Sequence, residues 1–477
     1  MQRDPRSPAP VRPGCRRKPA SLAGPFRPQG RVRPGSWTMS TDREPSRLDL
    51  WSGRLRLAAL RVPAADVVAV RAWLRGGART EPSPGLSLLT GRMLVEGTEQ
   101  RTWREIAEQA EARGVSIDGS ATAEVHGLAV DALADDAGLA LDWLAELLLS
   151  PGFARDRFEL LRDQTLGELL SLADRPEVVT GWAFRDQLYH PHPLAAPGHG
   201  TPESLDGLSS EDCRRFHLDA LARGGVIAVA GAVDEREVLA RLERLFGPAG
   251  DSGPLPAVRW EPPAPRGRPE RRVDVGTPGR EQAHVYAGHF TVNRTHRDLP
   301  ELRALGILLG SDGLAGLIPN RVREREGLAY ATGVDLLAGA GRDPGALSVY
   351  LGTHPDQVER GLELVQDSLR LVIEEPPSVD ILAECRTGML GREPFATETA
   401  GRWAALLVDS LLYDLPSYRR SFRLERIERL TPRGVFEAAR RHIDPDRLRV
   451  TVGLPGGRSG LESGDGELPS GGFQGQG

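Results

Sequence analysis

GLSLLTGRMLVEGT, residues 85–98, is the stretch around which the rest of the chain is organised. Its apolar run predicts a helix, entered through a charged GGAR turn (Gly76 to Arg79) and a small-residue approach at Pro84 and Gly85. EGT at Glu96 to Thr98 closes it. On a helix, side chains four residues apart project from one face. Leu88 and Arg92 therefore share a face, with Gly91 three positions after Leu88.

This frame is shaped like the inverted zinc motif H-x-x-E-H, in which two histidines grip the ion and the glutamate between them polarises the attacking water. Here those places hold Leu88, Gly91 and Arg92. On this helix and its flanks the chain resembles the pitrilysin/insulinase family of zinc metallopeptidases, over roughly residues 50–455. The resemblance implies that the family's third ligand, a glutamate on a later helix, falls at Glu168 in LRDQTLGELL. One ligand of three remains. A catalytic zinc needs three protein ligands and an open position, so this degenerate set is expected to hold no metal. A fixed guanidinium about 4 Å from a divalent ion would repel it by several kcal/mol even at an effective dielectric of about 20. Arg92 is expected to stand where the ion would and to pair with Glu168. The alternative is a solvated Arg92 beside an ordinary helix carboxylate.

The second half holds NRVREREGLAY, Asn320 to Tyr330. The resemblance implies that Arg323 and Tyr330, seven residues apart, match the pair that grips substrate backbone opposite the zinc. Chemistry agrees, since guanidinium and phenol both donate to a peptide carbonyl, and donors aimed at an oxygen gaining charge act as an oxyanion clamp. The alternative is a solvated helix arginine and a strand tyrosine belonging to the core.

The 477 residues, 39% of them apolar, suffice for more than one core. A net charge of −5 points to neither nucleic acid nor an anionic membrane as partner. Basic character is almost all arginine, with Lys18 the one lysine, the mark of a GC-rich bacterial genome rather than of chemistry. Residues 1–44 read as an Arg/Pro-rich disordered tail without a signal-peptide core, with Met39 as an alternative start. No run reaches the roughly 18 apolar residues of a membrane span, and a cytoplasmic location is expected. Cys15, Cys213 and Cys385 are too scattered for a disulfide framework or structural zinc. His190, His192 and His199 lie in a Pro/Gly-rich loop; the family has a similar His-Pro turn that binds nothing, so no metal role is expected there.

The first half reads as paired strands at Leu55–Leu60 and Val67–Leu74, then the helix above, and a helix at Trp103–Arg113 begun by a Thr102/Glu105 capping box. Strands follow at Val115–Ala121 and Val125–Ala132, then amphipathic helices at Asp136–Leu149 and Asp156–Leu172. A buried strand at Gly225–Gly231 and a helix at Glu235–Phe246 end this half. The second half repeats the plan, from Glu281–Phe290 to a last strand at Leu448–Gly453. The expected fold is α+β: two homologous domains (45–247 and 273–455), each an antiparallel sheet covered by helices on one face. A Pro/Gly-rich linker (248–272) joins them and a flexible Gly/Ser-rich tail (456–477) follows.

The combination resembles the non-catalytic subunit of a two-chain peptidase. The resemblance implies a zinc-bearing homologous partner, a peptide or unfolded segment as substrate, and no cofactor on this chain. A structural subunit of a larger complex, with no part in proteolysis, is the alternative. A zinc enzyme acting alone would need ligands outside the motif.

Overall fold

The computed structural model describes residues 47–52, 54–62, 65–247, 264–277, 281–313 and 316–455. The expected terminal tails and most of the expected linker lie outside the described residues.

The first half runs β1 (Arg47–Ser52), β2 (Leu55–Arg61), β3 (Val67–Arg75), α1 (Leu86–Met93), α2 (Trp103–Glu111), β4 (Ser116–Ala121), β5 (Val125–Leu133) and α3 (Ala137–Leu149). It continues with α4 (Arg155–Ala173), α5 (Pro176–Tyr189), α6 (Pro202–Asp206), α7 (Ser210–Arg223), β6 (Gly225–Gly231) and α8 (Glu235–Phe246). The second half runs β7 (Arg272–Thr277), β8 (Ala283–Phe290), α9 (Leu299–Leu309), α10 (Leu317–Pro319), a π-helical turn at Asn320–Arg325, β9 (Ala329–Ala338) and β10 (Ala346–Thr353). The helices α11 (Val358–Glu374), α12 (Val379–Arg392), α13 (Ala400–Tyr413), α14 (Arg420–Glu428) and α15 (Pro432–His442) then lead to β11 (Arg449–Pro455).

The strands form two sheets, ordered β1-β2-β6-β3-β5-β4 and β7-β11-β8-β10-β9. Setting β1 aside, the two orders superimpose strand for strand, so β4 and β9 are equivalent edges. Two α+β halves on one plan are thus present, with two refinements to the sequence reading. Each sheet carries one parallel pair, β2 with β6 and β7 with β11, because each returning strand arrives through a helical crossover rather than a tight turn. The Leu55–Leu60 and Val67–Leu74 strands do not pair with each other, since β6 lies between them.

The faces of the sheets turned away from these cores are covered as well. In β2, Leu55, Leu57 and Ala59 point to the core under the helices of their own half. Ala58 and Leu60 point the other way, as the two-residue period requires. There they join Ala228 and Ala230 of β6 against Ala404, Leu407 and Leu411 of α13. A helix of the second half therefore covers the back of the first sheet, and every residue of β6 is buried. The equivalent helix of the first half, α5, does the reverse, placing Phe184, Leu188 and Tyr189 against Tyr286, Phe290 and Ala346. Gly453 permits this approach, because a Cβ there would lie 2.2 Å from Thr180 Oγ1. Thr451 Oγ1 donates to Gln187 Oε1 at 2.9 Å, tying β11 to α5.

Polar contacts lock the exchange. Arg79 Nε donates to Asp343 Oδ2 at 2.6 Å, with side chains only 9% and 13% exposed. His192 Nε2 lies 3.3 Å from the same carboxylate oxygen. Burial pushes the Asp343 pKa up, but the hydrogen bonds from His192 and Arg79 outweigh it and hold the group below its ordinary value. Tyr413 donates to Glu124 Oε2 at 2.9 Å.

Two buried imidazoles sit beside the turn that leads to α1. His126 Nδ1 lies 2.6 Å from the Gly76 carbonyl, and His126 Nε2 lies 3.2 Å from His217 Nδ1. His217 Nε2 in turn lies 2.8 Å from the Leu148 carbonyl. Burial lowers their pKa values to about 3 and about 4.

Two predictions follow from these contacts. Asp343→Ala, which removes the carboxylate paired with the buried Arg79 guanidinium, should lower stability by about 3–5 kcal/mol. Asp446→Ala, which removes the 81% exposed partner of Arg370, should cost less than about 1 kcal/mol. Urea denaturation of both variants checks the contrast. For the histidines, the folded pKa values lie below the unfolded value of about 6.5, so the unfolded chain binds more protons below that pH. Stability is full above about pH 6.5 and is lost towards pH 4, at roughly 1.4 kcal/mol per pH unit per imidazole. Glu81, whose pKa burial raises to about 7, opposes this with one proton down to its unfolded pKa of about 4.5. Replacing His217 with Gln should flatten the pH dependence of the urea midpoint between pH 6 and 4; an unchanged slope would contradict the assignment.

Candidate functional site

α1 begins at Gly85, held at φ 89°, a conformation that glycine adopts without strain. Glu81 caps it from upstream, its carboxylate accepting from Gly85 N at 3.2 Å and Ser87 N at 2.8 Å. The helix is buried on most of its surface, leaving Leu88 and Arg92 as its partly exposed stripe. Gly91 faces the other way. A Cβ built on it would lie 2.4 Å from the Ser120 carbonyl oxygen, and one on Gly119 would lie 2.2 Å from the Gly91 carbonyl oxygen. Helix and strand β4 thus meet backbone to backbone, and position 91 has no room for the glutamate of an intact motif.

Arg92 reaches across to α4. Its Nη1 donates to Thr165 Oγ1 at 2.9 Å and its Nη2 to Glu168 Oε2 at 2.7 Å. Glu96 at the end of α1 accepts from Arg157 Nε at 2.6 Å, which fixes α4 beside α1. A third group completes the cluster: His199 Nε2 lies 3.7 Å from Glu168 Oε2. Burial lowers the His199 pKa, with Arg92 adding to the effect and Glu168 opposing it.

The donor set does not fit a zinc ion. Leu88 offers no ligand atom, Gly91 no base, and the guanidinium of Arg92 already holds the one carboxylate of the set. Together, Glu168 and His199 fall short of three ligands. The fixed charge of Arg92 adds repulsion.

The three histidines of the Pro/Gly-rich loop separate in space. His190 stands 3.8 Å from Asp186, His192 joins the Arg79–Asp343 pair, and only His199 approaches the vacated motif. Two glycines seat this loop: a Cβ on Gly200 would lie 2.7 Å from the Pro84 carbonyl oxygen, and one on Gly85 2.9 Å from that of His199. Small residues at both places let the loop lie on the start of α1.

Arg323 lies in the π-helical turn and Tyr330 near the start of β9. The Arg323 Cζ stands 5.9 Å from the centre of the Tyr330 ring. Tyr330 is 79% exposed and so belongs to no core, and among the described residues the ion partner of Arg323 is its neighbour Glu324, at 3.8 Å. Tyr330 stands exposed on the edge strand of the second sheet, with the half-buried Arg323 beside it in the turn that leads into that strand. Leu88, Arg92 and Glu168 cluster instead beside β4, the equivalent edge of the first sheet.

One further group went unread in the sequence. His296, Asp298 and His442 converge within 4.8 Å. Asp298 Oδ2 lies 2.8 Å from His442 Nε2 and accepts from Arg441 Nε at 3.0 Å, while His296 Nδ1 accepts from Asp298 N at 3.1 Å. These contacts make it an ion network rather than a metal centre.

Comparison with known proteins agrees with the two-half fold. Residues 56–197 match the family described as Insulinase (Peptidase family M16), and residues 222–389 match the Peptidase M16 inactive domain. A Mycobacterium leprae protein called an uncharacterized zinc protease is 30% identical over 345 residues, 70% of this chain and 74% of its own length. A Helicobacter pylori protein called a non-peptidase homolog is 24% identical over 376 residues, 77% and 84% of the two chains. Among solved structures, a peptidase M16 inactive domain from Pseudomonas fluorescens superimposes with a TM-score of 0.75 at 21% identity, covering 86% of this chain and 98% of its own. A Helicobacter pylori protease does so with a TM-score of 0.76 at 16% identity, covering 86% and 100%. The chain belongs to the insulinase family, peptidase family M16. No helix among the described residues is long and apolar enough to cross a membrane.

The backbone contact at Gly91 yields a signed prediction. Gly91→Ala should destabilise by about 1–3 kcal/mol, because its methyl drives α1 off β4. Gly167→Ala, on the exposed side of α4 with nothing within 4 Å of the new Cβ, should stabilise by up to about 1 kcal/mol through helix propensity. Thermal denaturation of both variants decides; the same sign at both positions would contradict the packing.

Proposed function

We propose that this chain is the inactive, substrate-binding member of a two-chain zinc peptidase: it holds a peptide and completes a site whose zinc lies on a homologous partner with an intact H-x-x-E-H motif. The observation that carries the reading is the Arg92–Glu168 ion pair, which takes up the ligand that would remain for a metal. Hydrolytic chemistry would come from the partner's zinc.

This chain's part is binding and orientation. Tyr330 on the edge strand and Arg323 in the turn before it offer donors to a peptide carbonyl. Their contribution would be largest when that oxygen gains charge, as an oxyanion clamp requires. Because β9 has no outer strand among the described residues, an extended peptide could also align along it through main-chain hydrogen bonds. The Arg/Tyr pair and the degenerate motif lie on different sheets, which suits a pair that serves another chain's metal. The name non-peptidase homolog, borne by one relative, is in keeping with the proposal.

The test is to purify the chain, a homologue with intact ligands from the same genome, and the mixture, and to follow cleavage of a quenched fluorescent peptide. The chain alone should be inert and the mixture should exceed the partner alone. Arg323→Ala should lower kcat/KM of the mixture by roughly 10²-fold, the effect of losing one oxyanion donor. A mixture no faster than the partner, or one indifferent to Arg323→Ala, would overturn the reading.

A further inference from the structure

A cavity of about 400 Å³ opens in the second half among α9, β9, α12, α13 and α14, a volume within the usual range for small-molecule sites. It lies outside the degenerate motif and the Arg/Tyr pair. Its wall is largely apolar, with Leu302, Ile307, Leu336, Leu406 and Phe422 contributing.

The charged residues around it do not balance. The lining holds Arg294, Arg303, Arg392, Arg423 and Arg426 against Asp312, Asp335, Glu393 and Asp409, an excess of one positive charge. Asp409 accepts from Arg294 Nε at 2.5 Å and from Ser417 Oγ at 2.9 Å. Glu393 accepts from Arg423 Nε at 2.8 Å, Asp312 pairs with Arg392, and Asp335 Oδ1 accepts from Leu337 N at 2.7 Å. Each carboxylate is therefore engaged. Among the described residues, Arg303 and Arg426 have neither an ion pair nor a hydrogen bond, and Arg423 Nη2 is buried without a partner.

Arg303 keeps accessible surface because it faces the cavity, yet protein crowds it. Burial lowers its pKa, and Arg294 and Arg426 lower it further. Burial also lowers that of Arg426, with Glu301 opposing the effect, and its guanidinium carbon stands 5.1 Å from the centre of the Phe422 ring. Crowded, mutually repelling guanidinium groups with free donors beside an apolar wall suit a ligand with an anionic head and an apolar body.

We propose that this cavity binds a small amphipathic carboxylate, its head between Arg303 and Arg426 and its body against Leu302, Ile307, Leu336 and Phe422. The planar oxygens of a carboxylate match the guanidinium fork.

Isothermal titration of the full chain with decanoate, 1-decanol and acetate tests this. Decanoate should bind one per chain, with the alcohol and acetate each weaker by about tenfold or more, and Arg303→Gln or Arg426→Gln should weaken decanoate similarly. Gly306→Leu should block it while leaving the arginines in place, because the new side chain points past Ser311 and Leu336 into the cavity. Circular dichroism shows which variants fold, and any one that does suffices for the comparison. Decanol binding as tightly as decanoate, several decanoates per chain, no saturable binding, or a folded variant binding like the parent would each overturn the proposal.

Discussion

The exchange of α5 and α13 is the constraint on which the rest of the structure depends. A sheet with one face against its own helices still exposes the other, and here each half supplies the helix that covers the other half's sheet. The alanine-rich back of the first sheet lets α13 lie close, and Gly453 does the same for α5 on the second. Because each sheet is completed by a helix of the other half, the halves cannot separate without uncovering both. Hydrophobic burial does most of this work, at roughly 25 cal/mol per Å² of apolar surface. The Arg79–Asp343–His192 cluster adds register, since a buried ion pair tolerates little misplacement.

That rigid frame determines what became of the motif helix. α1 is pinned below by the Gly91–Gly119 backbone contact, at its start by Glu81 and the loop around His199, and at its end by Arg157 on Glu96. Only Leu88 and Arg92 remain to present chemistry, and the guanidinium reaches a hydroxyl and a carboxylate on α4. The pair is partly exposed, so it contributes modestly to stability. In the proposed reading its importance is positional, because it engages the carboxylate that an intact motif would offer to a metal.

Much of this was legible in the sequence. The capping box of Thr102 and Glu105 formed as its spacing requires, β6 was marked by its continuous apolar run, and the repeat of the strand plan declared two equivalent halves. The exchanged helices were not legible. In α5, Trp182 packs on the first core while Phe184 and Leu188 face the second sheet, so its apolar residues spread around the axis and no single stripe appears. β7 was hidden in a Pro/Gly-rich charged stretch because RVDVGT is half polar on an edge. Arg92 and Glu168 could be placed by motif spacing, but His199 could not, since nothing in a Pro/Gly-rich loop says which helix it will lie against. The charged cavity was equally invisible, because nothing in the sequence says that α9 and α14 bring Arg303 and Arg426 to one cavity.

The central claim is that a guanidinium stands where this family keeps its ion. Elemental analysis of the purified full-length chain, equilibrated with excess zinc and then desalted, tests it most directly. A zinc content far below one per chain, together with no peptide cleavage by the chain alone, is the predicted result; stoichiometric zinc retained with matching proteolysis would contradict it.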